Sequence, residues 1–375
     1  MYDVIVIGVG GMGSAATYYL ARQKLKVLGL EQFNIPHSLG SSHGINRIIR
    51  LAYAEDPKYV PLLRKSYQLW RELENLTGER ILFVTGGIDA GPEDGPIVTG
   101  SLLSCEEHHL DYRKFDSEAL QRLFPGYQLA SNMMAVYQAD AGFLLSERCI
   151  VSYVNAAQQL GAEIHGCERV EQWETNGNGV QVQTDRQKYA AKSLVITAGP
   201  WLSQLVPALQ KFAVPERQVL LWCQPLKPDF FRVGNFPVFN MECEEGRFYG
   251  FPIFGIPGFK IGKYHHRKEV VDDLNMMKRE IDPEDEEVLR QCIARYFPDA
   301  NGPTMSLKTC LFTNSPDEHF IIDKHPEFSN VVIAGGFSGH GFKFCSVVGE
   351  IIMDLVAGHD VSHEVELFRL ARLLN

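Results

Sequence analysis

No stretch of this chain is apolar for the roughly 18 residues that a membrane-spanning helix needs. The opening "MYDVIVIG" has neither a basic region nor a small-residue cleavage site. There is no C-x-x-C pair, and the eight cysteines fall far apart without metal-ligand spacing. Positive charge is in deficit: 36 Lys and Arg stand against 46 Asp and Glu, a net charge of −10. Nucleic acid and anionic membrane surfaces both need a basic face, so neither is expected as a partner. Repeats, low-complexity tracts and a peroxisomal tripeptide are missing as well. No Ser-His-Asp constellation or paired-carboxylate motif is legible, which leaves a hydrolase little support. These absences point to a reduced, cytoplasmic, metal-free protein. Its 375 residues imply two domains, or one domain with a large insertion.

The first strong positive signal is "DVIVIGVGGMGSAATYYLARQKLKVLGLE". Asp3 to Ile7 is a continuous apolar, β-branched run, as a buried parallel strand requires. Gly8, Gly10 and Gly13 fit G-x-G-x-x-G, Ser14 to Arg22 reads as a helix, and Lys26 to Leu30 is a second strand ending at Glu31. The first glycine permits the tight turn, the second lets backbone approach a pyrophosphate, and the third lets helix pack on strand. The pyrophosphate would lie on unpaired N–H groups at the helix start. Glu31 is placed to accept the ribose hydroxyls of an adenosine, which disfavours a 2′-phosphate. The motif alone does not separate NAD from FAD.

Past Glu31 the simple repeat is lost. Lys58 to Leu76 reads as an amphipathic helix, with Leu62, Leu63, Leu69, Trp70 and Leu73 at helical spacing. Glu147 to Leu160 is a second helix, and a hairpin is expected around the turn at residues 176–179. "KSLVITAGPW" is a buried strand stopping at Gly199, and "NVVIAGGFSGHGFKF" returns to strand, glycine loop and helix. The expected fold is therefore α/β, with a discontinuous Rossmann-like nucleotide domain at 1–84, 145–213 and 309–375. A β-rich substrate domain, 85–144 and 214–308, is inserted in it. Interrupted domains of this kind are associated with FAD more than with NAD.

Several residues break local rules. Lys343 falls in the first turn of the helix expected after "GGFSGHGF", where a cation opposes the macrodipole at about 0.3–1 kcal/mol. That suggests an anion to be met nearby, although a lysine reaching solvent would read the same. Lys260 in "GIPGFKIGKYHH" shares a strand face with Gly258 and Gly262, an open surface where a planar ring could lie. Arg47 and Arg50 in "NRIIRLAY" would be neighbours on a helix and would point apart on a strand. Arginine's planar fork suits a carboxylate. Cys310, heading "CLFTNSPDEHFIID", could be one more buried thiol or a covalent handle for a cofactor.

Six segments taken in order resemble the monomeric sarcosine oxidase family, which includes N-methyltryptophan and L-pipecolate oxidases. They are "VIVIGVGGMGS", "PHSLGSSHGINRIIRLAYAED", "SLVITAGPW", "FYGFPIFGIPGFKIG", "TCLFTNSPDEHFIID" and "VVIAGGFSGHGFKF". The resemblance covers nearly the whole chain, and the second segment, of the "PHS.GSSHG…RIIR.AY.ED" type, looks closest to pipecolate oxidases. It implies a monomeric FAD oxidase of secondary α-amino acids such as sarcosine, other N-methyl amino acids, L-pipecolate or L-proline, with oxygen as acceptor and hydrogen peroxide as product. The alternative is a dehydrogenase passing electrons to a carrier. By the same resemblance Cys310 bonds covalently to the flavin, with His43, Arg47 and Lys260 as its neighbouring cations. Lys260 promotes the oxygen reaction, Arg50 and Lys343 clamp the substrate carboxylate, and His43, Arg47, Tyr249 and His340 lie around flavin and substrate. Ser41, Val170, Gly199, Gly339, Gly341 and Phe342 complete the cofactor-binding set begun by Gly8, Gly10, Gly13 and Glu31. The chain departs from the family pattern at Phe312, where a tyrosine is usual, and at Ile45-Asn46. A family histidine after the Lys260 strand is matched by Tyr264, His265 or His266. These departures bear on the substrate, not on the chemistry.

Overall fold

The computed structural model describes all residues except Asn176, Gly177, Ser362, Glu364 and Asn375, so part of the expected hairpin turn lies outside the described residues. Three sheets organise the chain. In the first, the strand Tyr2–Ile7 runs parallel between Val27–Leu30 and Lys188–Ile196, each of which extends the sheet outward. The continuous apolar run predicted this: Val4 to Ile7 are buried, as a strand covered on both faces must be. The helix Gly11–Arg22 follows at once, buried from Gly11 to Ala21, and packs against the helices Ser146–Gln159 and Cys345–Ala357. The helix Tyr59–Thr77 buries its predicted leucines and Trp70, and stops at Gly78, whose φ of 71° is the left-handed end that glycine accepts most readily.

The second sheet has eight strands. Its order runs from Thr304–Asn314 through Val214–Cys223, Phe259–Lys263, Gly246–Phe251 and Val238–Cys243 to Gly87–Pro92, Met133–Gln138 and Arg113–Asp116. An aromatic core with Phe231, Phe236, Phe239, Phe259 and Phe297 covers one face, closed by Leu289, Cys292 and Ile293 of the helix Pro283–Tyr296. A third, small sheet joins Asn46–Ile49, Gly142–Leu145 and Leu82–Val84.

Two sequence expectations shift. The strand carrying Cys310 pairs along its whole length with Val214–Cys223, and Cys310 faces Gln218. The change of sheet therefore falls after Asn314 rather than at residue 309, because one ladder, in constant register from Asn314 to Ser306, holds the strand. Lys343 is not in the first α-helical turn: Phe342–Phe344 is a 3₁₀ turn and the α-helix begins at Cys345.

Candidate active site

A groove opens where the Tyr2–Ile7 strand meets the helix Gly11–Arg22. Gly8 turns the chain with a φ of 87°, a conformation that L side chains rarely adopt. At Gly10 an added Cβ would meet only Ser42 Oγ, at 3.9 Å, so bare backbone faces the groove. The helix start has no side-chain cap and no acidic residue in its first turn, leaving N–H groups for an anion. Glu31 closes this end; its carboxylate accepts from Val9 N–H at 2.9 Å and Phe33 N–H at 3.1 Å, and burial raises its pKa. Gly199, with no atom within 4 Å of a notional Cβ, and Val170 line the opposite wall. Gly13 is not on the groove. Its Cβ would stand 1.8 Å from Gly8 O, so its absence lets the helix close on the strand. An uncapped helix start, a glycine cradle and a recessed carboxylate fit the dinucleotide half of FAD.

Ser41, Arg47, Phe312, Gly339, Gly341 and Phe342 line the far end of the same groove. Arg47, on the strand Asn46–Ile49, donates from Nη2 to Ser41 O at 2.9 Å and lies 3.6 Å from Cys310 Sγ. Cys310 itself is buried beneath the groove, beside the lining residue Leu311. His43 is buried with neither ring nitrogen bonded, and burial, then the charge of Arg47, lowers its pKa to about 3. His43 is thus neutral, not the cation expected from sequence. An orphaned buried imidazole is costly, by about 1–3 kcal/mol, and is what a residue awaiting a ligand presents.

Lys260 donates to Gly44 O at 2.7 Å, Asn46 O at 2.9 Å and Asn46 Oδ1 at 2.8 Å. The three acceptors match the three N–H groups of an ammonium, while burial pulls its pKa well down. Asn46, one of the departures, thus supplies two of them. Its strand face is not open, because the Tyr249 phenol lies over Gly262 and the amine stands 4.2 Å above the Phe251 ring. Period-two alternation placed the glycine correctly, but the neighbouring strand fills the gap.

Arg50 leaves the strand end on the opposite side from Arg47 and enters a closed ring of five side chains. Arg50 meets Glu55 at 3.1 Å and Asp89 at 3.5 Å; Asp89 accepts from Asn240 at 2.8 Å; Asn240 accepts from Arg247 at 2.8 Å; Arg247 returns to Glu55 at 2.6 Å. Burial works against the charge on Glu55, yet Arg50 and Arg247 hold its carboxyl well below the usual range. At Asp89 burial prevails and raises the pKa, with Arg50 and Asn240 offsetting part of it. Lys343 Nζ donates to His340 O at 2.7 Å and stands 5.1 Å over the Tyr53 ring. Burial, then the charge of Arg50, brings Lys343 down to about 7. His340 is bonded to Tyr53 OH at 2.6 Å and to Glu318 O at 2.9 Å, and burial takes it to about 4.

Phe312 joins the two regions: it lines the groove and lies 5.7 Å from Tyr264, which meets Tyr249 edge-on at 5.3 Å. Tyr264 is therefore the residue after the Lys260 strand that faces this site. His265 turns to Glu216 and Glu318, and His266 to Asp285.

The family model for FAD dependent oxidoreductases matches residues 3–355. The chain belongs to that family. It is 40% identical to a monomeric sarcosine oxidase of Streptomyces avermitilis, covering 99% of this chain and 98% of the relative. With a monomeric sarcosine oxidase of Bacillus sp. (strain NS-129) it shares 39% over 99% and 97%. An N-methyl-L-tryptophan oxidase of Citrobacter koseri is 35% identical over 99% of both chains. Two solved structures share the fold: NikD, an unusual amino acid oxidase essential for nikkomycin biosynthesis, at a TM-score of 0.86, 21% identity and coverage of 98% and 97%, and L-proline dehydrogenase from P. horikoshii at 0.85, 19%, 99% and 97%.

The structure gathers the glycines, Glu31, Ser41, Val170, Arg47 and Phe342 on one groove, with Gly13 behind it and Cys310 beneath it. Arg50, Lys343 and His340 form the adjoining cluster. Sequence reasoning missed Tyr53, Glu55, Asp89, Asn240 and Arg247. Only Asp89 carried a usable signal, an acid at a buried position of the strand Gly87–Pro92.

Proposed function

We propose that this chain is an FAD-dependent oxidase of secondary α-amino acids, sarcosine and other N-methyl amino acids or the cyclic L-pipecolate and L-proline. One observation carries the reading. The loop between the strand Val331–Gly335 and the helix Cys345–Ala357 lines the groove with Gly339, Gly341 and Phe342, and turns Lys343 into the buried cluster of Arg50 and Glu55. A bound amino acid would have its carboxylate met by Lys343 and Arg50 and its reacting carbon next to Phe312. Both cations are buried, where a carboxylate bound by charged hydrogen bonds is favoured most. If Arg50 turns to such an anion, Glu55 keeps Arg247 and Asp89 keeps Asn240 as partners.

FAD, when bound, supplies the two-electron acceptor for the carbon–nitrogen bond. Arg47 and Cys310 stand at the groove's far end, and Cys310 is the residue proposed to bond the flavin. Lys260 is proposed to promote the oxygen reaction there, by turning to the developing charge an N–H that it otherwise spends on the loop Gly44–Asn46. His43 and His340, both neutral, can accept a proton or a hydrogen bond without adding charge. The enzyme is proposed to act as a monomer in the cytoplasm.

The test is anaerobic addition of secondary amino acids to the purified yellow protein, followed by oxygen. Bleaching by an N-methyl or cyclic amino acid, but not by its decarboxylated amine, is expected, and peroxide should form on aeration. Reduction without peroxide would favour a dehydrogenase. Equal bleaching by the decarboxylated amine would remove the carboxylate clamp.

A further inference from the structure

The two arginines that share Glu55 are not equally committed. Each nitrogen of Arg50 has a partner: Nη1 gives to Ala52 O, Nη2 to Glu55, and Nε faces Asp89. Arg247 spends Nε on Asn240 and Nη2 on Glu55, while its Nη1 has no acceptor among the described residues. The guanidinium is nonetheless fixed in plane, lying 4.2 Å over the Tyr264 ring, and its side chain is 21% exposed. A pre-oriented fork with an unspent edge is a carboxylate receptor.

That edge borders a surface cleft which Arg247 and Tyr264 share with Lys263, His265 and Glu318. Lys263 Nζ sits 5.6 Å over the Phe248 ring, with no carboxylate or carbonyl partner among the described residues. Each acid of the cleft already has a cation: Glu244 and Glu245 pair with Arg295 at 2.6 and 2.9 Å, and Glu318 with His265 at 3.0 Å. Arg267 is likewise spent on Asp282 and Glu284. The free edge of Arg247, Lys263 and the exposed Lys268 therefore face one cleft, on a chain whose net charge is −10. Tyr264 stands between this cleft and the groove, touching Arg247 on one side and Phe312 of the groove on the other.

We infer that this cleft is an outer subsite of the substrate site, taking N-alkyl amino acids whose side chain ends in a carboxylate held by Arg247 and Lys263. The inference rests on the oxidase reading above. A substrate anchored by its α-carboxylate at Lys343 would extend its side chain past Tyr264, and a few methylenes would bring a second acid to Arg247. Sarcosine, without a side chain, would leave the subsite empty.

N-methyl-L-glutamate and N-methyl-L-glutamine have the same shape and differ in this one charge, so their ratio reads the subsite alone. With the flavin-loaded full chain, kcat/KM for the glutamate should exceed that for the glutamine by about tenfold, the worth of one charged hydrogen bond. In Arg247→Gln the ratio should fall to within about twofold, and in Lys263→Gln to an intermediate value. Each ratio is taken within one protein, so a general loss of activity cancels. As a binding readout, glutarate should perturb the wild-type flavin spectrum at lower concentration than butyrate, and this difference should vanish in Arg247→Gln. A wild-type ratio near one, or a ratio untouched by both substitutions, overturns the subsite while leaving the oxidase intact. Flavin that no secondary amino acid bleaches overturns the oxidase reading, and the subsite with it.

Discussion

Arg47 brings its Nη2 to 3.6 Å from the sulfur of Cys310, two residues 263 positions apart in the chain. The small sheet carries one and the eight-stranded sheet the other, and the contact lies at the groove's far end. A thiolate is the reactive form of cysteine. Acid-precipitated protein should therefore stay yellow, with an intact mass greater than the chain's by one FAD. Cys310→Ser should fold, bind flavin and release it on denaturation. Wild-type protein whose flavin passes wholly into the acid supernatant would make Cys310 a plain buried thiol.

Lys260 is committed to the loop Gly44–Asn46, which carries Arg47 behind it. Lys260→Met should slow the reaction of reduced enzyme with oxygen by at least about tenfold while changing flavin reduction by substrate much less. Stopped-flow traces of the two half-reactions decide this. Equal slowing would assign the lysine to holding the loop.

Lys343 gives a pH dependence with a definite sign. Its pKa is about 7 in the fold against an ordinary 10.5. Between those values the unfolded chain holds more protons, so this lysine makes stability rise with pH across the window and weighs against the fold below 7. Carboxylate binding favours the protonated amine and runs the opposite way. Affinity for an unreactive carboxylate should weaken above pH 7, by up to about tenfold per unit, in flavin-perturbation titrations. Lys343→Met should bind weakly at every pH. A wild-type profile flat from pH 7 to 9 would count against the clamp.

The glycines of the N-terminal motif should separate binding from folding. Gly13→Ala puts a methyl group 1.8 Å from Gly8 O and should cost about 3 kcal/mol or more, seen as a lower melting temperature. Gly10→Ala meets nothing closer than 3.9 Å in the protein and should melt near wild type, yet retain little FAD. Equal losses of stability in both variants would contradict the cradle.

These contrasts show where the sequence was readable. The Gly8–Gly13 run is local: strand, turn and helix follow within a few residues, so spacing alone assigns each glycine its task. The charged ring is not. Arg50 and Glu55, Asp89, and Asn240 and Arg247 come from three separate stretches of the chain, and each looks like an ordinary charged or polar residue in its own segment. Lys260 lies between these cases. Alternation along one strand located Gly262 beside it, but Tyr249, which fills that space, belongs to the next strand and follows no pattern in this one. Lys343 drew attention for opposing a helix that in fact begins two residues later. What holds it is burial among Tyr53, His340 and Arg50.

The sheet membership of Cys310 has a mechanical consequence. The adenosine end of the groove belongs to the sheet of the strand Tyr2–Ile7, whereas Cys310 stands in the ladder with Val214–Cys223 in the second sheet. With the ring end bonded there, the cofactor would act as a cross-brace between two separately cored halves, fastened covalently at one end and by hydrogen bonds at the other. The two cores would then melt together in the holoprotein and come apart stepwise in Cys310→Ser, a difference that calorimetry reads as one transition against two.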